Sequence, residues 1–393
     1  VTPVGRPTSR PGRAWPAPFA GAILVAAAAV GGLGGFLVGP REGAAPIVQA
    51  NEIIDLSRAE PLASAAAISV TPVSLPHLEA QPITAAERKA GFGECYAPDP
   101  LGLGPYAPYR KVAGARVAVP QRGGHTEDLG YDVVLHFHGG DPARKTLVQV
   151  AGGVVFAAVD KGVGSGPYQQ AFVRREAWTR LRAGIASVLR AHAGDERAHI
   201  RHLALSAWSA GYGAVNEILA TNGSDGIDAV ILLDGLHAGR NPRWPGPDDG
   251  SLGALDRGTV SAVFDYAAAA ARGEKLMVLT HTNVVPTGYA SVKRTADLLL
   301  AELGLGRHAW RRPLGLAQQL TAADEAGLHV WGFAGRYEEA HCAQVSLLGE
   351  IVRDVLEPAW GTPAMDRAVP PTPPPGLGAG ESARRAEARP GPP

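Results

Sequence analysis

The sequence predicts an α/β fold, a mostly parallel central sheet with helices on both faces, preceded by an N-terminal transmembrane or signal segment. Three observations carry that prediction. Short continuous apolar runs such as "YDVVLHFH" (131–138) and "DAVILLDG" (228–235) suit strands that are covered on both faces. They alternate with stretches of helical periodicity such as "REAWTRLRAGIASVLRAHA" (175–193), the order expected of a parallel sheet. Ahead of them lies a run without a single charge, "FAGAILVAAAAVGGLGGFLV", from Phe19 to Val38.

As a helix rising ~1.5 Å per residue, the 19–38 run would span roughly 30 Å, the thickness of a bilayer core. Arg6, Arg10 and Arg13 precede it without an acidic residue, which favours a cytoplasmic 1–18 segment. The run is long for a signal peptide and no clean A-x-A cleavage site follows, so a signal anchor is expected, with a cleaved signal peptide as the alternative. Glycines 31, 32, 34 and 35 weaken the helix. Either way the rest of the chain belongs outside the cytoplasm, held in the cell envelope or secreted. Residues 39–91 are Ala- and Pro-rich and read as a linker or strap. Residues 92–360 form the folded domain, and 361–393 a disordered Pro/Gly-rich tail with too little apolar surface to offset ordering entropy. Cys95 and Cys342 can pair in an exported protein, though two separate buried thiols fit as well.

Within the domain, strands are expected at 115–120, 131–138, 152–160, 200–207, 228–235, 275–282 and 328–335. Helices are expected at 175–193, 213–221, 256–273, 289–303 and 341–360. The turn-rich segment 236–256 reads as a small cap, with Trp244 as a pocket candidate. Apolar residues make up 46% of the 393, enough for a sizeable core, and the formal net charge is +0 with 19% charged residues. That balance gives no basic surface for nucleic acid and no acidic tail.

Ligand sites in open α/β sheets lie at the carboxyl ends of strands. There the sequence places "HFHGG" (136–140), Asp160, Ser209, Asp234 with His237, and His281. Around the serine the chain reads "HLALSAWSAGYGAV" (202–215). This is the outline of a nucleophile elbow, G-x-S-x-G, with Ala207 where the first glycine would stand. The nucleophile's flanks must be small because the turn packs against its neighbours, and alanine is the smallest departure. Asp234 ends a fully apolar run, and a carboxylate there wants a partner.

The chain order Ser209…Asp234…His341, with a Gly-rich strand-end turn before it, resembles the α/β-hydrolase family over roughly residues 110–358. The resemblance implies an exported serine hydrolase acting on a small-molecule ester, or an amide, through an acyl-enzyme. Ser209 is then the nucleophile, His341 the general base and acid, and Asp234 the orienting acid. The family usually carries its acid one strand later, in the loop "THTNVVPTGYAS" (280–291), which has no carboxylate here. Asp234 occupies a position some members use, and Asp160 is the alternative acid. The strand-end turn has the look of an oxyanion hole, from the backbone of Gly139, Gly140 and Ala210; His138 is expected to orient that turn, and Trp208, beside the nucleophile, and His237 to border the pocket. The missing acid in the usual loop also admits a catalytically inactive envelope protein of the same fold. A third reading is a metal-dependent hydrolase on the His136/His138 pair, completed by Asp160, His237 and His281. No cofactor is expected: "GVGSG" (162–166) is followed by neither the Lys-Ser/Thr of a P-loop nor a G-x-G-x-x-G frame. The expected partners are the ester or acyl substrate and, through the N-terminal segment, the membrane.

Overall fold

The computed structural model of the protein describes residues 102–368, apart from residue 287. The apolar run 19–38, the strap 39–91, Cys95 and most of the tail lie outside the described residues. Among the described residues no helix is long and apolar enough to cross a membrane.

The sheet is built from β1 (Arg110–Val112), β2 (Ala115–Ala118), β3 (Gly130–Phe137), β4 (Val155–Val159), β5 (His199–Trp208), β6 (Ala229–Leu233), β9 (Leu276–His281), β10 (His308–Leu314), β11 (Ala317–Glu325) and β12 (Leu328–Phe333). A separate two-residue ribbon pairs β7 (Gly239–Arg240) with β8 (Leu255–Asp256). The strand order in the sheet is β1-β2-β4-β3-β5-β6-β9-β12-β11-β10. From β4 to β12 every neighbour is parallel, and an antiparallel pair closes each edge. The helices are α1 (Gly140–Val150), α2 (Gly166–Phe172), α3 (Arg175–Ala193), α4 (Tyr212–Asn222), α5 (Ser261–Ala271), α6 (Val292–Leu303), α7 (Glu338–Val345), α8 (Leu347–Ile351) and α9 (Glu357–Trp360).

Both faces of the sheet are covered, which is why its strands read as unbroken apolar runs. Alternate residues of β3 and β5 feed two separate cores. Val133, Leu135, Phe137, Leu205 and Ala207 pack with α2 to α6; Val134, Ala204 and Trp208 pack with α1, α7 and α8. The mostly parallel sheet with helices on both faces agrees with the α/β-hydrolase resemblance of the sequence. Strand order reverses at β3, with β4 on one side and β5 on the other. The crevice at that switch point opens at the carboxyl ends of β3 and β5.

Three departures from the expected elements have local causes. The turn after β3 runs directly into α1, which starts on Gly-Asp-Pro and so carries turn signals where a helix begins. The β10–β11 hairpin was not expected because polar residues interrupt both strands and β10 is largely exposed. Residues 361–368, read as the start of a disordered tail, dock on the domain: Thr362 Oγ1 donates to Asp132 at 2.7 Å and the Met365 N–H to the Gly152 carbonyl at 2.7 Å. Asp132 is fully buried at the amino end of β3 and also accepts from Arg201 at 2.8 Å, so this anchor completes a buried carboxylate.

Candidate active site

Three adjacent parallel strands, β3, β5 and β6, each end in a non-glycine residue in left-handed backbone geometry. They are His138 (φ 69°), Ser209 (φ 47°) and Asp234 (φ 44°). Such conformations cost of order 1–3 kcal/mol each and persist only where the surroundings impose them. For Ser209 the imposition is visible. Strand β5 turns through a single 3₁₀ turn, Ser209–Gly211, into α4. A Cβ on Gly211 would lie 2.1 Å from the Phe137 carbonyl oxygen, and one on Gly235 would lie 2.4 Å from the Ser209 carbonyl oxygen. The elbow is therefore wedged between the ends of β3 and β6, and glycine is required at both positions. At Ala207, fully buried and paired with Phe137 and Leu232, the methyl group is accommodated.

Asp234 is 3% exposed. Its Oδ1 accepts the Thr282 N–H at 2.9 Å, and its Oδ2 accepts the Thr282 hydroxyl at 2.8 Å. His341 Nδ1 lies 2.8 Å from the same Oδ2. An ionised carboxylate can only accept, so Nδ1 carries the proton and a neutral imidazole keeps its lone pair on Nε2. The loop after β9 thus contributes no carboxylate but does contribute Thr282, which grips the carboxylate standing on the neighbouring strand. Sequence reasoning missed Thr282. The only signal was a hydroxyl immediately after β9, and threonine is too common there to single out.

Trp208, the residue before Ser209, joins this group to the turn after β3. Its indole N–H donates to the His341 carbonyl at 3.1 Å, and its ring centroid lies 5.1 Å from that of His341. It also stacks on His138 at 5.0 Å with an interplanar angle of 10°. His138 Nδ1 is 3.0 Å from the Tyr168 hydroxyl, and burial holds the His138 ring below the usual histidine pKa. His237 sits among Tyr289, Tyr212 and the Ala290 carbonyl, 2.7 Å from its Nδ1, and burial lowers its pKa as well.

Several expected assignments change. The Gly140 N–H, expected beside Gly139 in an oxyanion hole, donates to Asp160 Oδ1 at 3.1 Å and so is already engaged. Gly139 (φ 72°) keeps an N–H without a protein acceptor among the described residues, and Ala210 lies in the first turn after the elbow, where N–H groups lack intrahelical partners. Asp160, the alternative acid, is bound to Gly140 and to Arg116 at 2.9 Å and makes no hydrogen bond to His341. The His136/His138 metal pair is not assembled. His136 is fully buried with Nδ1 2.9 Å from Ser206 Oγ, whereas His138 turns to Tyr168 and Trp208. Among the described residues no group of three or more His, Cys, Asp or Glu is arranged to hold a metal ion. Segment 236–256 is anchored on α6, Ala238 N–H donating to Thr295 at 3.0 Å and Arg294 pairing with Asp248 at 2.6 Å. Trp244 packs on Gly253 of the same segment. Cys342, next to His341, is disulfide-bonded. An open cleft of about 430 Å³, lined by Asn283, Val285, Ser291, Lys293 and Arg336, lies among the loops that follow β9 and β12.

No protein-family model matches the chain. No curated protein matches it either. Among solved structures it is similar to an enterobactin esterase from Shigella flexneri, at 14% identity and a TM-score of 0.37, over 66% of this chain and 64% of that one. It is similar to the enterochelin esterase from Shigella flexneri, at 14% identity and a TM-score of 0.40, over 67% and 61%. It is similar to an ester hydrolase from the metagenome of Lake Arreo, at 12% identity and a TM-score of 0.38, over 70% and 89%. The chain spans less than two thirds of the first two proteins. At so low an identity and TM-score, no role passes from these enzymes to this chain.

Proposed function

We propose that this protein is a serine hydrolase that cleaves a small-molecule ester through Ser209, His341 and Asp234. The observation that carries the reading is the buried Asp234 carboxylate, 2.8 Å from His341 Nδ1, on the strand beside a left-handed serine elbow. Ser209 Oγ attacks the ester carbonyl carbon while its proton passes to His341 Nε2. The oxygen that gains the negative charge is received by the N–H groups of Gly139 and Ala210, the kind of fixed donor that stabilises charge as it develops. His341 then gives the proton to the departing alkoxide as the carbon–oxygen bond breaks, leaving an acyl-enzyme. Water repeats the sequence, with its proton taken by His341 and returned to Ser209. Asp234 holds the Nδ1–H tautomer throughout and stabilises the imidazolium.

A fluorophosphonate probe tests this directly. Wild-type protein is expected to be labelled at Ser209 and to turn over p-nitrophenyl esters, and S209A to do neither. Equal labelling of S209A would end the serine-hydrolase reading, and an unlabelled, inactive wild type would favour a protein that keeps the fold without the chemistry.

We also propose that the domain works outside the cytoplasm, tethered by the 19–38 segment. The support is the charge-free run with arginines ahead of it and the disulfide at Cys342, a bond that persists in oxidising compartments. Protease digestion of spheroplasts, with the domain resistant until the inner membrane is lysed, would refute it.

A further inference from the structure

The strand residue before the nucleophile touches both the proposed base and the turn after β3. Trp208 donates its indole N–H to the His341 carbonyl at 3.1 Å and lays its ring 5.1 Å from the imidazole. It stacks on His138 at 5.0 Å. A Cβ on Gly139 would lie 2.7 Å from its Cε3, so the glycine that offers the oxyanion N–H is a glycine because this indole lies against it. We propose that Trp208 is a positioning residue: one rigid ring fixes the proposed base and the oxyanion turn relative to the elbow it adjoins. The inference rests on the serine-hydrolase reading above.

Two features separate this role from filling the core or walling an acyl pocket. The polar end of a tryptophan in a core can be satisfied by any carbonyl, but here it is satisfied by the carbonyl of the histidine itself. The support is also needed there. His341 stands early in α7, where its main-chain N–H reaches back to the Tyr337 carbonyl at 3.5 Å, and Tyr337 is exposed. Apart from Asp234 on Nδ1, the described contacts that hold the imidazole come from Trp208. A base misplaced by about 1 Å can lose on the order of a hundredfold in rate, because the acceptor nitrogen must meet the serine hydroxyl in the transition state. Substrate binding does not depend on that meeting, so the effect belongs in kcat.

The test compares W208F, which keeps one aromatic ring and loses the N–H with the rest of the pyrrole ring, with W208L, which loses all aromatic contact, using full-length protein and p-nitrophenyl butyrate. A single hydrogen bond or aromatic contact is worth about 2- to 10-fold each. W208F is expected to lose about 3- to 10-fold in kcat and W208L about 30- to 100-fold, with KM within about 3-fold of wild type and fluorophosphonate labelling slowed in parallel. If W208L instead raises KM at unchanged kcat, Trp208 is a pocket wall and the proposal is wrong. It is equally wrong if W208L lowers only the melting temperature, with kcat and labelling intact. Should W208L fail to fold, W208F decides alone, wild-type kcat overturning the clamp. S209A separates the two levels. Labelling that survives S209A removes the parent reading, whereas labelling abolished in S209A but unchanged in W208L removes only this one.

Discussion

Replacing Asp234 by asparagine changes one oxygen to an amide nitrogen without altering shape, and the surrounding donors decide where that nitrogen goes. Oδ1 receives one donor, the Thr282 N–H, and Oδ2 receives two, the Thr282 hydroxyl and His341 Nδ1. If the amide nitrogen faced the Thr282 N–H, two donors would oppose each other in a buried site, at a cost of about 1–3 kcal/mol. The nitrogen therefore takes the Oδ2 position. The Thr282 hydroxyl can rotate to accept from it, but His341 must then present a lone pair at Nδ1 and move its proton to Nε2. An imidazole protonated on Nε2 cannot take the serine proton. The expected loss is about 10³- to 10⁴-fold in kcat, the size found when a triad acid is replaced by its amide, with KM within about 3-fold. Because shape and most bonds survive, the melting temperature should move by no more than about 3 °C. Steady-state kinetics on a p-nitrophenyl ester and a thermal melt measure both. D160N is the control: its exposed ion pair with Arg116 is worth at most about 1 kcal/mol, and kcat should stay within about 3-fold. A D234N enzyme within tenfold of wild type, or a D160N enzyme that is the more damaged, would refute the tautomer argument.

Strain at the elbow predicts that S209G, while inactive, melts within about 2 °C of wild type, since the roughly 1–2 kcal/mol released at φ 47° offsets the about 0.5–1 kcal/mol of chain entropy that glycine adds; a melting temperature lower by about 4 °C or more would remove the strain argument. A207G, which restores the G-x-S-x-G spelling, should leave kcat within about 3-fold and cost about 0.5–1 kcal/mol of stability from added chain entropy. A tenfold gain in kcat would mean that the alanine, accommodated at rest, obstructs the reaction. Burial pushes His136 and His281 down to about 4. The unfolded chain takes up these protons near pH 6.5 and the folded protein resists them, so their contribution is complete above about pH 6.5 and is lost as pH falls toward 4. The urea midpoint should therefore drop between pH 7.5 and 5, less steeply in H136Q, and a flat profile would contradict the assignment.

How far the sequence reached can be traced to what each residue had to satisfy. Strands β3, β5, β6, β9 and β12 were legible because burial on both faces leaves an unbroken apolar run. The β10–β11 hairpin was not, because an edge exposed to water keeps polar side chains such as Arg311, Arg312 and Gln318. Helix 341–360 was anticipated as one piece but begins at Glu338 and passes through separate turns at Ser346 and Val352, where no proline or glycine marks a break. In the site, Asp234 stood out because a carboxylate closing an apolar strand is unusual. The partners that make its position workable did not. Thr282 and Gly235 matter through contacts between strands far apart in sequence, and neither residue type is rare in loops. The engagement of the Gly140 N–H by Asp160 was invisible for the same reason: two strand ends had to be placed side by side before the bond existed.

With the carboxylate seated on β6, the loop after β9 is relieved of a duty. Among its described residues only Thr282, its first, is bound to the carboxylate. Beyond it, Asn283, Val285 and Ser291 line the cleft shared with Lys293 and Arg336, and Val285 and Tyr289 are exposed. Val284 still donates its N–H to the Thr282 hydroxyl at 3.2 Å, so the part free to vary begins at the exposed Val285. In an arrangement that kept the acid in this loop, each change there would risk moving the carboxylate. On the serine-hydrolase reading, the scaffold separates the Asp234–His341 bond from the exposed side chain of Val285 on the cleft, which makes that position the first at which to seek altered substrate preference.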